Sequence, residues 1–198
     1  MSNPYGDVEL SPRSMRALAH PVRLAILSRL QGHGPSTATA LAPLVGATPS
    51  VTSWHLRHLA EHGLVRDADV EGDGRQRWWE AVGSGFRFTP GEGDPADAAS
   101  ALSRLMFEQA GPLPGAWARD TEPLLEPEWR RSAGLSNTTI LATADELAEV
   151  EAAIESVLAP FVLRKGRQAP GEGQRRVRLL RYVLPAGPES EVDEGPEA

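Results

Sequence analysis

The residues whose types and spacing could do chemistry lie between positions 48 and 62. Hydroxyl groups, an indole, a guanidinium and an imidazole recur there, at Thr48, Ser50, Ser53, Trp54, Arg57 and His58. On a helix most of these side chains share one side, with His58 at its border, and apolar residues share the other. Small hydroxyls and an arginine near a helix N-terminus can hydrogen-bond phosphates and base edges. The pattern predicts a helix that packs on one side and contacts double-stranded DNA on the other, and Arg57 is the first candidate for a base or phosphate contact.

A second basic group follows in a predicted β-hairpin. Two strand-like segments, 64–70 and 76–82, flank an Asp-Gly pair that is typical of hairpin turns. Arg75 lies at the tip of this hairpin, and Arg77 lies two residues on, so both are expected on the same face, followed by Trp79. The segment 71–77 is therefore predicted to lie on the DNA backbone or in the minor groove.

Capping signals define the helices that must position these residues. A cap residue followed by proline opens helices at Ser11-Pro12, His20-Pro21 and Thr48-Pro49, and the last of them runs to about His62. A third helix begins at Ser36 or Thr37 and is short or bent, because Pro43 falls inside it. With the tight turn at Gly46-Ala47 and the hairpin, this order is that of a winged helix-turn-helix, in which one helix braces another in the major groove.

The remaining chain is predicted to be mainly helical. Helical patterns cover 95–110 and the residues after a Thr143–Glu146 capping box, and strand patterns cover 138–142 and 177–184. We therefore expect an α+β, mainly α fold with four parts. These are a flexible arm (1–10), a winged helix-turn-helix domain (11–83), a helical dimerisation and candidate effector region with two strands (84–184), and a disordered acidic tail (185–198). The apolar stripe of 95–110 is either a seam between two copies or packs against 144–163.

Composition excludes several classes of site. The chain has no cysteine, which excludes disulfides, zinc fingers and thiolate metal sensing. Its formal charge is −7, yet residues 11–81 carry eight arginines and six acidic residues, a local charge of +2. We find no phosphate loop, metalloprotease motif or nucleophile elbow, so neither an enzyme nor a cofactor is predicted. A basic, apolar leader and long apolar runs are also lacking, which predicts a cytoplasmic protein without membrane spans.

Several residues have a second interpretation. His55, His58 and His62 have a spacing that could hold a metal. We expect instead that His55 packs in the core, that His58 faces DNA and that His62 lies near the helix C-terminus, where positive charge is favoured, so no metal site is predicted. Trp54 could pack in the core instead of facing DNA. One of Trp78 and Trp79 should face the core. A second pair of tryptophans, Trp117 and Trp129, could line a ligand pocket, although core packing is expected.

Three segments of this sequence resemble the ArsR-type (arsenic-repressor-like) winged-helix regulators. They are Leu18–Leu27, Thr48–Leu59 and Gly63-Leu64-Val65, so the resemblance covers roughly residues 11–83. It implies a homodimeric, DNA-binding repressor or activator. Founding members sense metals through cysteine or through paired histidine and carboxylate ligands, and this sequence departs from them in having no cysteine. Metal sensing is therefore not carried over.

Taken with this resemblance, the residues predict a homodimeric transcriptional regulator. We expect it to read a palindromic operator with half-site centres roughly 10 base pairs apart. Residues 49–62 would lie in the major groove, and a small-molecule effector could bind the region after the wing. The alternative is a winged-helix module that binds other proteins and has no sequence-specific contact with DNA.

Overall fold

A computed structural model describes residues 3–70, 76–88, 98–165 and 171–187. Helices dominate, and small sheets join the N-terminal ones, so the predicted α+β, mainly α class is confirmed. The helices are α1 Pro12–Leu18, α2 Pro21–His33, α3 Ala38–Leu41, α4 Pro49–Glu61, α5 Ala98–Ala110, α6 Pro112–Asp120, α7 Pro127–Arg130 and α8 Ala144–Lys165. The strands are β1 Val8–Glu9, β2 Ser36–Thr37, β3 Val65–Asp67, β4 Trp78–Ala81 and β5 Phe86–Arg87. Short 3₁₀ turns cover Ala42–Leu44 and Glu122–Leu124.

The first helices begin where the capping residues predict. The Ser11 hydroxyl accepts a hydrogen bond from the Ser14 N–H at 3.2 Å, and His20 Nδ1 accepts one from the Val22 N–H at 3.2 Å. In both helices proline follows the cap, where its missing N–H costs nothing. Gly34 ends α2 with a φ of +86°, a conformation that a side chain would disfavour.

The third helix is short and bent, as Pro43 predicts. Thr37 caps α3 by accepting a hydrogen bond from the Ala40 N–H at 3.2 Å. The chain then tightens into the 3₁₀ turn that contains Pro43. Gly46, with a φ of +65°, forms the tight turn that leads into α4.

The wing strands belong to a three-stranded antiparallel sheet in the order β2-β4-β3. Ser36 pairs with Trp79 and Val65 with Ala81, so β4 is the central strand. The two wing strands are shorter than the sequence predicts, and the predicted tip at 71–75 lies outside the described residues. The sequence also did not predict β2, because a two-residue strand carries no alternating pattern.

One apolar core holds the N-terminal helices together. Leu18, Ile26, Leu56 and Leu59 are fully buried in it, and Trp79 of β4 is 2% exposed. Trp79 is the tryptophan that faces the core, while Trp78 is half-buried, so the prediction for this pair is confirmed.

Helix α5 joins the same core instead of beginning a separate one. Ala99 and Leu102 are buried there, and α5 packs chiefly against α1 rather than against residues 144–163. The amide of Gln109 also donates a hydrogen bond of 3.0 Å to the Pro21 carbonyl, at the start of α2. Residues 1–167 form one compact unit, so the boundary predicted between 83 and 84 does not divide two cores.

The N-terminal segment is not the flexible arm that the sequence predicts. β1 pairs in parallel with β5, and Leu10 is 5% exposed. Asp7 approaches so closely that a Cβ on Gly85 would lie 2.6 Å from its Oδ1 atom. Arg87 donates to Asp7 at 3.0 Å and to Glu155 of α8 at 3.2 Å. The prediction failed because these partners lie far along the chain, where a local pattern carries no signal.

Helices α6, α7 and α8 are more exposed than the rest of the fold. None of their described side chains is buried, and Trp117 and Trp129 are half-buried, so the expected core packing of this pair is incomplete. The predicted capping box opens α8: Glu146 Oε2 accepts from the Thr143 N–H at 2.8 Å, and Thr143 Oγ1 accepts from the Glu146 N–H at 3.2 Å. Within the described ranges, every helix is too short or too polar to cross a lipid bilayer.

The two strands predicted after the wing are not formed. Residues 138–142 have no ladder partner among the described residues, and Leu141 is fully exposed. Residues 171–187 form a second unit, which contains a turn closed by the Gln174 N–H and the Gly171 carbonyl. The segment 177–184 in that unit likewise forms no strand with the described residues. The prediction is wrong because strand-forming residues in a short segment do not by themselves supply a partner strand. Of the predicted tail, 188–198 lies outside the described residues.

Candidate nucleic-acid interface

Local signals fix the start and the end of α4. The Thr48 hydroxyl accepts a hydrogen bond from the Val51 N–H at 3.4 Å, and Pro49 follows as the first helical residue. At the other end Gly63 takes a φ of +69°, which suits a glycine after a helix. Because α3, the 3₁₀ turn and Gly46 lead directly into this cap, the direction of α4 is set by its bracing helix.

One side of α4 is closed by the core. Its buried residues recur every three or four positions and are Thr52, His55, Leu56 and Leu59, of which His55 is the most exposed at 5%. Burying two leucine side chains stabilises the packing of this side by about 3–6 kcal/mol. The helix is therefore held firmly from behind.

The other side of α4 is open. Ser50 and Arg57 are exposed, Trp54 is 52% exposed, and Ser53 and His58 are half-buried. Arg57 makes no hydrogen bond or ion pair with the described residues. The structure thus brings five of the predicted residues together on one surface, which we call the open face, and Thr48 lies exposed at its N-terminal end. Trp54 is not a core residue.

Sequence reasoning missed Val51, which is 45% exposed beside the open face. An apolar residue in an amphipathic helix is expected to point inward. A usable signal was its position three residues before Trp54, because residues at that spacing are neighbours on a helix.

Comparison with known proteins agrees with this geometry. The family described as "Helix-turn-helix domain" matches residues 18–68, which include the bracing helices, the turn and α4. In this structure residues 18–68 have the helix-turn-helix arrangement, and we call them the helix-turn-helix domain below. The chain is also similar to the HTH-type transcriptional regulator YgaV of Escherichia coli strain K12, with 39% identity over 65 residues. That similarity covers 31% of this chain and 66% of the regulator, just under two thirds of its length.

A row of aromatic rings crosses the helix-turn-helix domain from its core to its open face. The His20 and His55 ring centres lie 4.8 Å apart, and Trp54 lies 4.9 Å from His55. On the outer side the His58 ring stacks on Trp54 at 5.6 Å, with 13° between the planes, and His62 lies 4.8 Å from His58. These separations are in the range in which aromatic rings attract each other. The indole of Trp54 is therefore held by its neighbours.

Burial disfavours the charged form of the inner histidines of the helix-turn-helix domain. Loss of solvent lowers the pKa of His55, and the nearby charges of His20, Arg23 and His58 lower it further. Burial also lowers the pKa of His20, followed by the effect of Arg23. His55 Nδ1 and Thr52 Oγ1 are buried, and neither has a hydrogen-bond partner among the residues that the structure describes. In the part of the chain that the structure describes, no three His, Asp or Glu side chains are placed to hold a metal ion.

The wing presents less free charge than its sequence predicts. Arg77 forms a two-pronged ion pair with Asp67 of β3, with nitrogen–oxygen distances of 2.5 and 3.0 Å. Its guanidinium lies 4.1 Å from the centre of the Trp79 ring. The hydrogen bond from Arg77 lowers the pKa of Asp67, so the pair stays ionised at neutral pH. Arg75 lies outside the described residues, so Arg77 is the one predicted wing arginine whose contacts the structure describes.

Proposed function

We propose that this protein is a DNA-binding transcriptional regulator that inserts α4 into the major groove. The observation that carries the proposal is the open face of α4, which is braced from behind and carries unpaired polar groups. A helix that reads DNA needs both properties, because it must keep its angle while its side chains reach base edges. Arg57 is exposed on the same side of the helix as Ser50 and Ser53, seven and four residues before it. Within the described residues it has no ion-pair or hydrogen-bond partner that DNA binding would displace.

Further contacts would come from the cap and from the wing. The N-terminus of α4, capped by Thr48, offers backbone N–H groups to a phosphate. Residues 71–77 would lie on the adjacent backbone or in the minor groove, where Arg75 and Arg77 would contact phosphates. Arg77 would have to exchange Asp67 for a phosphate, so we assign it a smaller share of the binding energy than Arg57.

The regulator is proposed to act as a cytoplasmic homodimer of the ArsR type. Symmetric half-sites match a two-fold axis, so two copies of α4 would read a palindrome with half-site centres roughly 10 base pairs apart. Helix α5 supports this assembly, since Met106 and Phe107 are 36% and 52% exposed on a helix whose other side is in the core. The similar E. coli protein is named a transcriptional regulator. The region after the wing would carry any small-molecule effector.

The test is to select genomic DNA fragments with the purified full chain and to titrate the selected duplex at several salt concentrations. We expect a shared palindromic motif and an affinity that falls steeply with salt, because phosphate contacts release counterions. A scrambled duplex of equal length is the control. Equal affinity for both duplexes, or no binding to either, would refute the proposal.

One observation favours a second function. The formal charge of −7 disfavours non-specific attraction to DNA and would suit a helix-turn-helix domain that binds a protein. The protein-binding function is supported if the chain selects no duplex and if Arg57→Ala weakens its complex with a protein that is purified together with it.

A further inference from the structure

The open face of α4 is divided lengthwise into an apolar and a polar half. Val51 and Trp54 are adjacent on it at i, i+3 spacing and are 45% and 52% exposed. Ser50 and Arg57 lie on the other half, also exposed. An isolated exposed apolar residue needs no explanation. Two exposed apolar neighbours near the N-terminus of a firmly packed helix instead indicate a surface that contacts an apolar group of a binding partner.

The major groove offers one apolar group at its base edges. Hydrogen-bond donors and acceptors line all four base pairs, and only thymine adds a C5-methyl group. Side chains in the first turns of a recognition helix are those that reach base edges. Val51 and Trp54 lie in the first two turns of α4. The chemistry of the apolar half therefore fits a thymine methyl, and it does not fit a phosphate.

Neighbouring rings pre-organise the indole for this contact. His58 stacks on Trp54, and the buried His55 meets its edge. Binding usually costs the ordering of each side chain that it immobilises. Because both rings already restrict the indole in the free protein, that cost is reduced, and His58 acts as a positioning residue for Trp54.

We infer that Trp54, assisted by Val51, reads a thymine C5-methyl group in each half-site, beside the base pair that Arg57 contacts. This inference rests on the proposed function, because it requires α4 to lie in the major groove. It assigns the apolar half of the open face to sequence discrimination. A second copy of the chain or another protein would be a different occupant of that half.

The experiment uses the duplex that the full chain selects, with each thymine replaced in turn by uracil, which lacks only the C5-methyl. We expect one thymine in each half-site at which uracil weakens binding about fourfold, the effect of one buried methyl group. With Trp54→Ala, that position should become insensitive to uracil, although binding to the parent duplex is weaker. His58→Ala should reduce the sensitivity to uracil without abolishing it.

Phe161→Ala is the matched control, because Phe161 is an aromatic residue that is 58% exposed and lies on α8, outside both α4 and the proposed dimer helix α5. It should keep the uracil sensitivity of the wild-type chain. Thermal unfolding followed by circular dichroism establishes that each variant is folded. The inference is overturned if no uracil position matters, if Trp54→Ala keeps the sensitivity, or if Trp54→Ala changes only the oligomeric state. If the chain selects no duplex, the proposed function is refuted together with the inference. If it selects a duplex that shows none of these effects, the inference alone fails.

Discussion

Two adjacent residues of α4, Leu56 and Arg57, should fail in opposite ways when each is replaced by alanine. Leu56 is fully buried in the core, whereas Arg57 is exposed and unpaired. Leu56→Ala should therefore lower the free energy of unfolding by about 2–5 kcal/mol, the usual cost of a buried leucine with its cavity. Arg57→Ala should change it by less than about 0.5 kcal/mol, as for other surface substitutions.

DNA affinity should show the reverse order. Losing one arginine contact to a base costs about 1–3 kcal/mol, so Arg57→Ala should weaken binding to the selected duplex by about 5- to 150-fold. Leu56→Ala should bind with nearly wild-type affinity at temperatures at which it remains folded, because its side chain faces away from DNA. Arg131→Ala is the matched control, since Arg131 is likewise exposed and its side chain makes no hydrogen bond or ion pair with the described residues.

Urea unfolding followed by circular dichroism gives the stabilities, and fluorescence anisotropy with a labelled duplex gives the affinities. The reasoning would be refuted by an Arg57→Ala variant that is folded and binds the selected duplex as tightly as wild type. It would also fail if Arg131→Ala weakened binding equally, because the loss would then reflect net charge and not the open face.

Other expectations follow from the charges and close approaches of the fold. Burial lowers the pKa of His20, His55 and His62 in the folded protein. In the unfolded chain the pKa of a histidine is about 6.5. The folded state therefore binds fewer protons than the unfolded chain as the pH falls below that value. The free energy of unfolding should be at its full value above about pH 6.5 and should decline as the pH falls below it, and the decline should be shallower in His55→Gln. Urea unfolding at pH 7.5 and 5.5 measures this. A higher stability at pH 5.5 would contradict the expectation. Gly85→Ala should destabilise by about 1–3 kcal/mol by displacing Asp7. Gly115→Ala, whose added Cβ would meet open space within α6, should be neutral or slightly stabilising, because alanine favours a helix over glycine; thermal unfolding compares the two variants. Thr48→Ala should cost about 0.5–2 kcal/mol through loss of the α4 cap, and Thr48→Ser should restore most of it.

Several helices could be predicted from the sequence because the signals that begin them are local. Ser11, Thr48 and Thr143 each cap a helix within three residues of their own position. The 3.6-residue period then separates the buried from the open side of α4, since both sides lie on one continuous element. Proximity in sequence and proximity in space coincide at these positions.

The features that the sequence did not reveal depend on distant partners. Pairing of β1 with β5 and the Arg87 contact with Glu155 join segments that lie far apart in the chain. Conversely, the composition of 138–142 predicted a strand, but the described part of the fold supplies no edge with which it pairs. The same limit applies to the candidate site. Val51 was not singled out, because an apolar residue of an amphipathic helix usually points inward. The ion pair between Arg77 and Asp67 joins residues from different strands of the hairpin, so no local pattern indicates it.

The most direct measurement of whether the open face of α4 lies in the major groove is DNA cleavage from a single tethered probe. The chain has no cysteine, so Ser50→Cys creates one attachment site for an iron-chelate cleaving agent on the open face, and Ser132→Cys provides one on an exposed residue outside α4. The Ser50→Cys conjugate is predicted to cut the selected duplex at discrete positions centred in each half-site, and the Ser132→Cys conjugate should cut diffusely or not at all. Matching patterns from the two conjugates, or no cutting by a Ser50→Cys conjugate that is bound to the duplex, would contradict the account.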